Sequence, residues 1–145
     1  MTKICSRIEV NVPIEKLIAF LGDWHNAEKW YEGIYDWKPI TEYTMGNGAR
    51  FSYKVKELGI ATLCEAEMFD YVKNMGFKFR SVKGPKVDEH YSFDSIEGGT
   101  RINYTMAYDI PLPLLGRILD TLIFKSLWAK RVQRSFQNLK RLLES

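Results

Sequence analysis

GFKFRSVKGPKVDEHYSFDSIEGGTRINYTMAY, residues 76–108, reads as three strands joined by two glycine-bearing turns, Gly84-Pro85-Lys86 and Gly98-Gly99. Hairpin pairing tests that reading, because a slip of one residue would turn every side chain to the opposite face. A two-residue Gly98-Gly99 turn sets Ser95 opposite Ile102, Phe93 opposite Tyr104, Tyr91 opposite Met106 and Glu89 opposite Tyr108. A three-residue Gly84-Pro85-Lys86 loop brings Phe79 to Tyr91 and Phe77 to Phe93. One face of the sheet is then almost wholly aromatic.

The same face extends toward the amino terminus. A Lys73-Asn74 turn brings Met68 to Phe79 and Ala66 to Ser81, and a Leu58-Gly59 turn places Phe51, Tyr53 and Val55 against Ala66, Cys64 and Thr62. The opposite face collects Arg50, Glu67, Arg80 and His90 as neighbouring charges and is the solvent side. Another strand is expected from Trp37 to Met45, ahead of Gly46-Asn47-Gly48. Its register stays open, since a two-residue turn selects Ile40, Glu42 and Thr44 and a three-residue turn selects Trp37, Thr41 and Tyr43. Together these segments predict a six-strand meander.

Residues 4 to 12 alternate Ile4, Ser6, Ile8, Val10, Val12 with Cys5, Arg7, Glu9, Asn11, the two-residue period of a half-buried first strand. Pro13 suits a helix start, Leu17, Ile18, Phe20 and Leu21 give a helical stripe, and Gly22 ends it. A second short helix is expected over Trp24 to Trp30. After Asp109, Ile110-Pro111-Leu112-Pro113 breaks the sheet, and Pro113 opens a helix to about Leu143, about 45 Å long at ~1.5 Å per residue. Its expected buried stripe is Leu115, Ile118, Leu122, Lys125, Ala129, Val132, Phe136, Leu139 and Leu143, with Lys125 the one polar member.

The 145 residues suit one domain, residues 1–145, with 46% hydrophobic, 27% charged and 14% aromatic residues. No signal-like or membrane-spanning run is present, which leads to the expectation of a cytoplasmic protein. Cys5 and Cys64 lie in strand patterns without Cys-x-x-Cys spacing and read as small buried side chains. A net charge of +3 gives no reason to invoke nucleic acid. Most of the excess lies on the last helix, where Arg117, Lys125, Lys130, Arg131, Arg134, Lys140 and Arg141 face one acid, Asp120.

The order of strand, two short helices, six-strand meander and long helix resembles the START-related superfamily, also called SRPBCC or helix-grip proteins. Local segments agree: Val12-Pro13-Ile14-Glu15-Lys16-Leu17, then Phe20-Leu21-Gly22-Asp23 and Trp30, resemble the family's opening. Gly46-Asn47-Gly48-Ala49-Arg50-Phe51 resembles its first hairpin. The Pro-Leu-Pro-Leu-Leu-Gly stretch from Pro111 to Gly116 is similar to members described as polyketide cyclases/dehydrases or as lipid and coenzyme Q carriers. The resemblance implies an α+β helix-grip fold: a curved seven-stranded antiparallel sheet, in β-α-α-β6-α order, wrapped around a long C-terminal helix with an internal apolar cavity. No catalytic motif of the family carries over.

In that arrangement Phe51, Tyr53, Met68, Phe77, Phe79, Tyr91, Phe93, Tyr104, Met106 and Tyr108 face the helix, where Leu115, Ile118, Leu119 and Leu122 are expected to complete a ligand site. A solid aromatic core is the plainer reading, but buried tyrosine hydroxyls need partners, which a cavity supplies. Glu89 is the carboxylate placed inside this face and the candidate acid or base; the alternative is a solvated residue at a strand end. Lys125 either reaches the pocket or snorkels to its rim. Trp24 and Trp30 either cap the pocket or staple the short helices to the sheet, the staple being the simpler reading. His25 and His90 do not share a metal site, and neither a phosphate loop nor an activated nucleophile is recognisable, so no metal or cofactor is expected.

Residues 112–128 are apolar nearly all round and flanked by basic side chains, the pattern of a peripheral membrane or protein contact. An aromatic face without a catalytic set points to a binding or carrier protein for a lipid, isoprenoid or quinone-like molecule. The alternatives are a cyclase/dehydratase-like enzyme using Glu89 and pocket tyrosines, or a protein-interaction module.

Overall fold

The computed structural model describes residues 1–57, 59–110 and 121–145, with only the backbone of Thr121 included. The expected start of the last helix at Pro113 therefore lies outside the described residues. Strand β1 (Thr2–Val10) leads through α1 (Ile14–Gly22), a 3₁₀ turn (Trp24–Asn26) and α2 (Ala27–Trp30) into six consecutive strands. These are β2 (Ile34–Pro39), β3 (Arg50–Glu57), β4 (Ile60–Val72), β5 (Gly76–Lys83), β6 (Val87–Ile96) and β7 (Gly99–Tyr108), followed by α3, described from Thr121 to Glu144. One seven-stranded antiparallel sheet has the order β1-β7-β6-β5-β4-β3-β2, the expected meander closed onto the first strand.

The pairing of β3 with β4 is the expected one, Phe51 to Ala66 and Tyr53 to Cys64, and Met68 meets Phe79 across β4 and β5. Arg50 and Arg80 both bond Glu67 on the outer face, while His90 stands opposite Lys78. Two other registers differ from expectation by two residues: Tyr91 pairs with Tyr104 and Phe93 with Ile102, while Phe77 pairs with Tyr91. A shift of two preserves the inward face. The cause on β7 is Gly99, which does not serve as a turn residue: a Cβ there would lie 2.0 Å from the Val10 carbonyl oxygen, so its missing side chain lets β1 pass. The turn instead uses Gly98, at φ +80°, in the left-handed region glycine favours.

The strand expected from Trp37 to Met45 begins and ends earlier. Asp36, at φ 53°, interrupts the β2–β3 register between Tyr35 and Lys38, so this is a bulge. The extra residue lets Ile34 and Trp37, three positions apart, reach the same cavity. Residues 40–49 are not a strand; they fold back on β4 through Gly48 N–H to Met68 O and Met68 N–H to Ala49 O, each 2.8 Å.

Along α3 the buried side chains are Phe124, Trp128, Val132, Ser135, Phe136, Leu139 and Leu143. The expected stripe holds from Ala129 onward and fails at Leu122, which is 72% exposed, and at Lys125, which is exposed, their places taken by Phe124 and Trp128, while Leu115 and Ile118 lie outside the described residues. Phe136 packs against Trp30 and Tyr104, with ring centroids 5.5 and 5.0 Å away. Polar clasps fix the helix to the loop after α2: Arg134 binds both Glu32 oxygens, Glu32 N–H donates to Ser135 Oγ at 2.7 Å, and Asn138 Nδ2 donates to Trp30 O. Cys64 is buried as expected; Cys5 is exposed, because it shares the outward phase of β1 with Arg7 and Glu9.

Candidate ligand-binding site

Between the sheet and the helices lies a cavity of two lobes, each about 80 Å³, both lined by Tyr31, Ile34, Tyr53 and Glu89. The first is walled by aromatics from the bulged β2, the central strands and the short helices: Trp24, Trp30, Trp37, Phe51, Phe77 and Phe79. Trp37 stacks on Phe51 at 4.8 Å and meets Phe79 edge-on at 6.0 Å. The second opens between the ends of β3, β6 and β7 and the helix, against Val55, Glu57, Cys64, Met106, Tyr108 and Trp128.

Glu89 sits where the lobes meet. The register shift moves it from the expected position opposite Tyr108 to one opposite Met106, flanked on its other side by Phe79. It is half-buried and lines both lobes. Two phenols converge on one oxygen: Tyr104 donates to Oε2 at 2.9 Å and Tyr91 at 3.1 Å. Tyr31 lies 2.8 Å from the Tyr104 hydroxyl, and since the Tyr104 proton is engaged by Glu89, Tyr31 is the donor in that pair. A chain from α2 through β7 to β6 thus ends on one carboxylate.

Burial pushes the Glu89 carboxyl above its ordinary range, while the hydrogen bonds from Tyr104 and Tyr91 pull the other way. Tyr91 and Tyr104 are raised well above the usual phenol value, first by desolvation and then by the neighbouring Glu89 charge. They are proton donors that stay protonated. At the rim of the second lobe, the Glu57 carboxylate is held by the Arg131 guanidinium, which also lies 4.8 Å over the Trp128 ring.

Of the residues expected to face a ligand, Phe51, Tyr53, Met68, Phe77, Phe79 and Tyr91 line the first lobe, and Tyr53, Met106 and Tyr108 the second. Phe93 and Tyr104 are buried in the core instead, and Tyr104 contributes its hydroxyl to the Glu89 cluster. Leu122 lies on the outer side of α3, because that helix turns Phe124 and Trp128 inward. Leu115, Ile118 and Leu119 fall outside the described residues. Tyr31 and Ile34 escape the sequence reading, lying where a helix end and a bulge break the periodicity, and Trp37 belongs to one of the two registers left open there. Trp24 and Trp30 both line the first lobe, and Trp30 also packs on the helix. Among the described residues no group of His, Cys, Asp and Glu is arranged to hold a metal ion, and no helix is long and apolar enough to cross a membrane.

A curled antiparallel sheet gripping a C-terminal helix around an aromatic cavity is the helix-grip architecture of START-type proteins. The chain belongs to the polyketide cyclase / dehydrase and lipid transport family, whose model matches residues 1–144. Among solved structures it is similar to a protein of Thermus thermophilus, at 17% identity and TM-score 0.81, over 98% of this chain and 97% of that one. A START superfamily protein of Mycobacterium smegmatis matches at 13% identity and TM-score 0.73, over 97% and 98% of the two chains. The di-domain aromatase/cyclase StfQ of the steffimycin biosynthetic pathway matches at 12% and TM-score 0.73, over 98% of this chain and 49% of that one. Identities this low establish the shared fold alone. No curated protein sequence matches the chain.

Proposed function

We propose that the protein binds an apolar small molecule in the two-lobed cavity, its body against the aromatic walls and its polar end at Glu89. The observation that carries this reading is the position of Glu89, a desolvated carboxylate shared by two otherwise largely apolar lobes. Family membership supports a ligand-binding or cyclase-like role. The modest size of each lobe favours a flat ring system, quinone-like or isoprenoid-derived, over a bulky acyl lipid.

N-phenyl-1-naphthylamine, which fluoresces on entering apolar sites, tests this directly. Wild type should take it up, and Ala66→Phe, which fills the first lobe from a buried wall position, should lose most of the signal while keeping its circular dichroism. No uptake by folded wild type, and no hydrophobic adduct in native mass spectrometry, would sink the proposal.

The raised Glu89 carboxyl beside phenol donors also favours a second reading, a cyclase/dehydratase-like enzyme in which Glu89 moves a proton. A Glu89→Gln variant that turns over a candidate polyketide substrate as fast as wild type would remove it. Peripheral contact through residues 112–128 draws on Ile123, 68% exposed on α3; residues 112–120 lie outside the described residues. Unchanged liposome and partner binding by Ile123→Glu would dismiss that contact.

A further inference from the structure

The described walls of the two lobes hold three carboxylates, Glu57, Glu89 and Asp109, and no lysine, arginine or histidine, although the chain as a whole carries a net charge of +3. Two of the three are accounted for: Glu57 is paired with Arg131, and Asp109 is 55% exposed at 3.9 Å from the terminal amine. Glu89 has only phenol partners, both on Oε2, which leaves Oε1 unbonded among the described residues. A charge removed from water is normally paired.

A second observation falls in the same lobe. The Tyr108 hydroxyl is buried, on a side chain 4% exposed that lines the second lobe, and it has no hydrogen-bond partner among the described residues. Tyr108 is on β7 two residues from Met106, the partner of Glu89, so both side chains project from the same sheet face as diagonal neighbours. An orphaned buried hydroxyl is destabilising, and a ligand atom would satisfy it.

We infer that the second lobe seats a protonated amine at one end of the ligand, with Glu89 as its counter-ion and the Tyr108 oxygen accepting one of its N–H groups. This rests on the cavity-binding reading above and adds the chemical class of the head group. The surrounding rings favour a cation over any other polar head, since Tyr31, Tyr53, Phe124 and Trp128 all line the lobe. Trp128 already carries the Arg131 guanidinium against its ring. A carboxylate head would face Glu89 as a like charge. A hydroxyl would complete hydrogen bonds without compensating the charge.

Three ligands that share one ring system and differ in head group test the inference: 2-naphthylmethylamine, 2-naphthalenemethanol and 2-naphthoate, titrated calorimetrically into the purified chain at neutral pH. The amine should bind at least tenfold more tightly than the alcohol, and the carboxylate should not register. Glu89→Gln should abolish the amine's advantage over the alcohol, and Tyr108→Phe should weaken the amine severalfold. Equal affinities for amine and alcohol, or an amine preference that survives Glu89→Gln, would overturn the inference. If none of the three binds while N-phenyl-1-naphthylamine still enters, the amine assignment falls and the cavity reading stands. If the dye is also excluded, both fall.

Discussion

The Tyr104 hydroxyl donates to Glu89 Oε2 at 2.9 Å, from β7 to the adjacent β6 but not between directly paired residues: Tyr104 pairs with Tyr91, which bonds the same oxygen from its own strand. One carboxylate is thereby held by two donors that lie side by side in the sheet.

Glu89 should make stability fall as pH rises. Its carboxyl in the folded protein is raised above the ordinary value of 4.5, so the native state binds the proton more tightly than the unfolded chain. The slope of unfolding free energy with pH is then negative from about 4.5 up through the raised value. Glu89→Gln lacks that slope and keeps a polar group beside the phenols. Thermal melts from pH 4 to 8 should show the variant gaining on wild type as pH rises; parallel curves would refute this.

Phe136→Ala should cost about 3–5 kcal/mol, the range for a fully buried phenylalanine. Its ring is 2% exposed and contacts Trp30, Tyr91 and Tyr104, so the cavity left behind would open beneath the Glu89 cluster. Urea denaturation measures the loss.

Gly98 and Gly99 should respond in opposite ways to substitution. Gly98→Asn places a residue that tolerates left-handed backbone where a Cβ meets nothing within 4 Å, and should cost under about 1 kcal/mol. Gly99→Ala drives a methyl into the Val10 carbonyl and should cost about 1–3 kcal/mol or more. Similar melting temperatures for the two variants would disprove the account of the β6–β7 register.

Arg131→Met should destabilise the protein by about 3 kcal/mol, since Glu57, 7% exposed, would be left as an uncompensated buried charge. Adding Glu57→Gln should recover a large part of that loss. A double-mutant cycle with no coupling would show that the pair does not clasp the β3–β4 hairpin to the helix.

The sequence discloses the architecture because strand alternation and turn residues act over short distances. Gly59, at φ +81° between the paired Glu57 and Ile60, suits the tight turn expected there, and the expected pairs Phe51–Ala66 and Tyr53–Cys64 are found. Gly99 misleads because its reason for being glycine is β1, at the far end of the chain. The helix phase before Val132 is ambiguous for a different cause: Leu122, Ile123, Phe124 and Leu127 offer apolar side chains in several directions, and only packing chooses Phe124 and Trp128. Glu89 is recognisable as the inward carboxylate; its depth follows from the register shift. Tyr31 is invisible to periodicity because a helix cap aims it, and Trp37, inward in only one of the two open registers, is aimed by the Asp36 bulge.

Ile34 and Tyr53 border both lobes but take no part in the hydrogen bonding around Glu89. Trimming Ile34 would enlarge both spaces at a wall they share and leave the polar centre intact. On the proposed reading, reach and head-group choice are separable traits: a descendant could come to accept a larger guest by one change at Ile34 while keeping the carboxylate that would tell one end of that guest from the other.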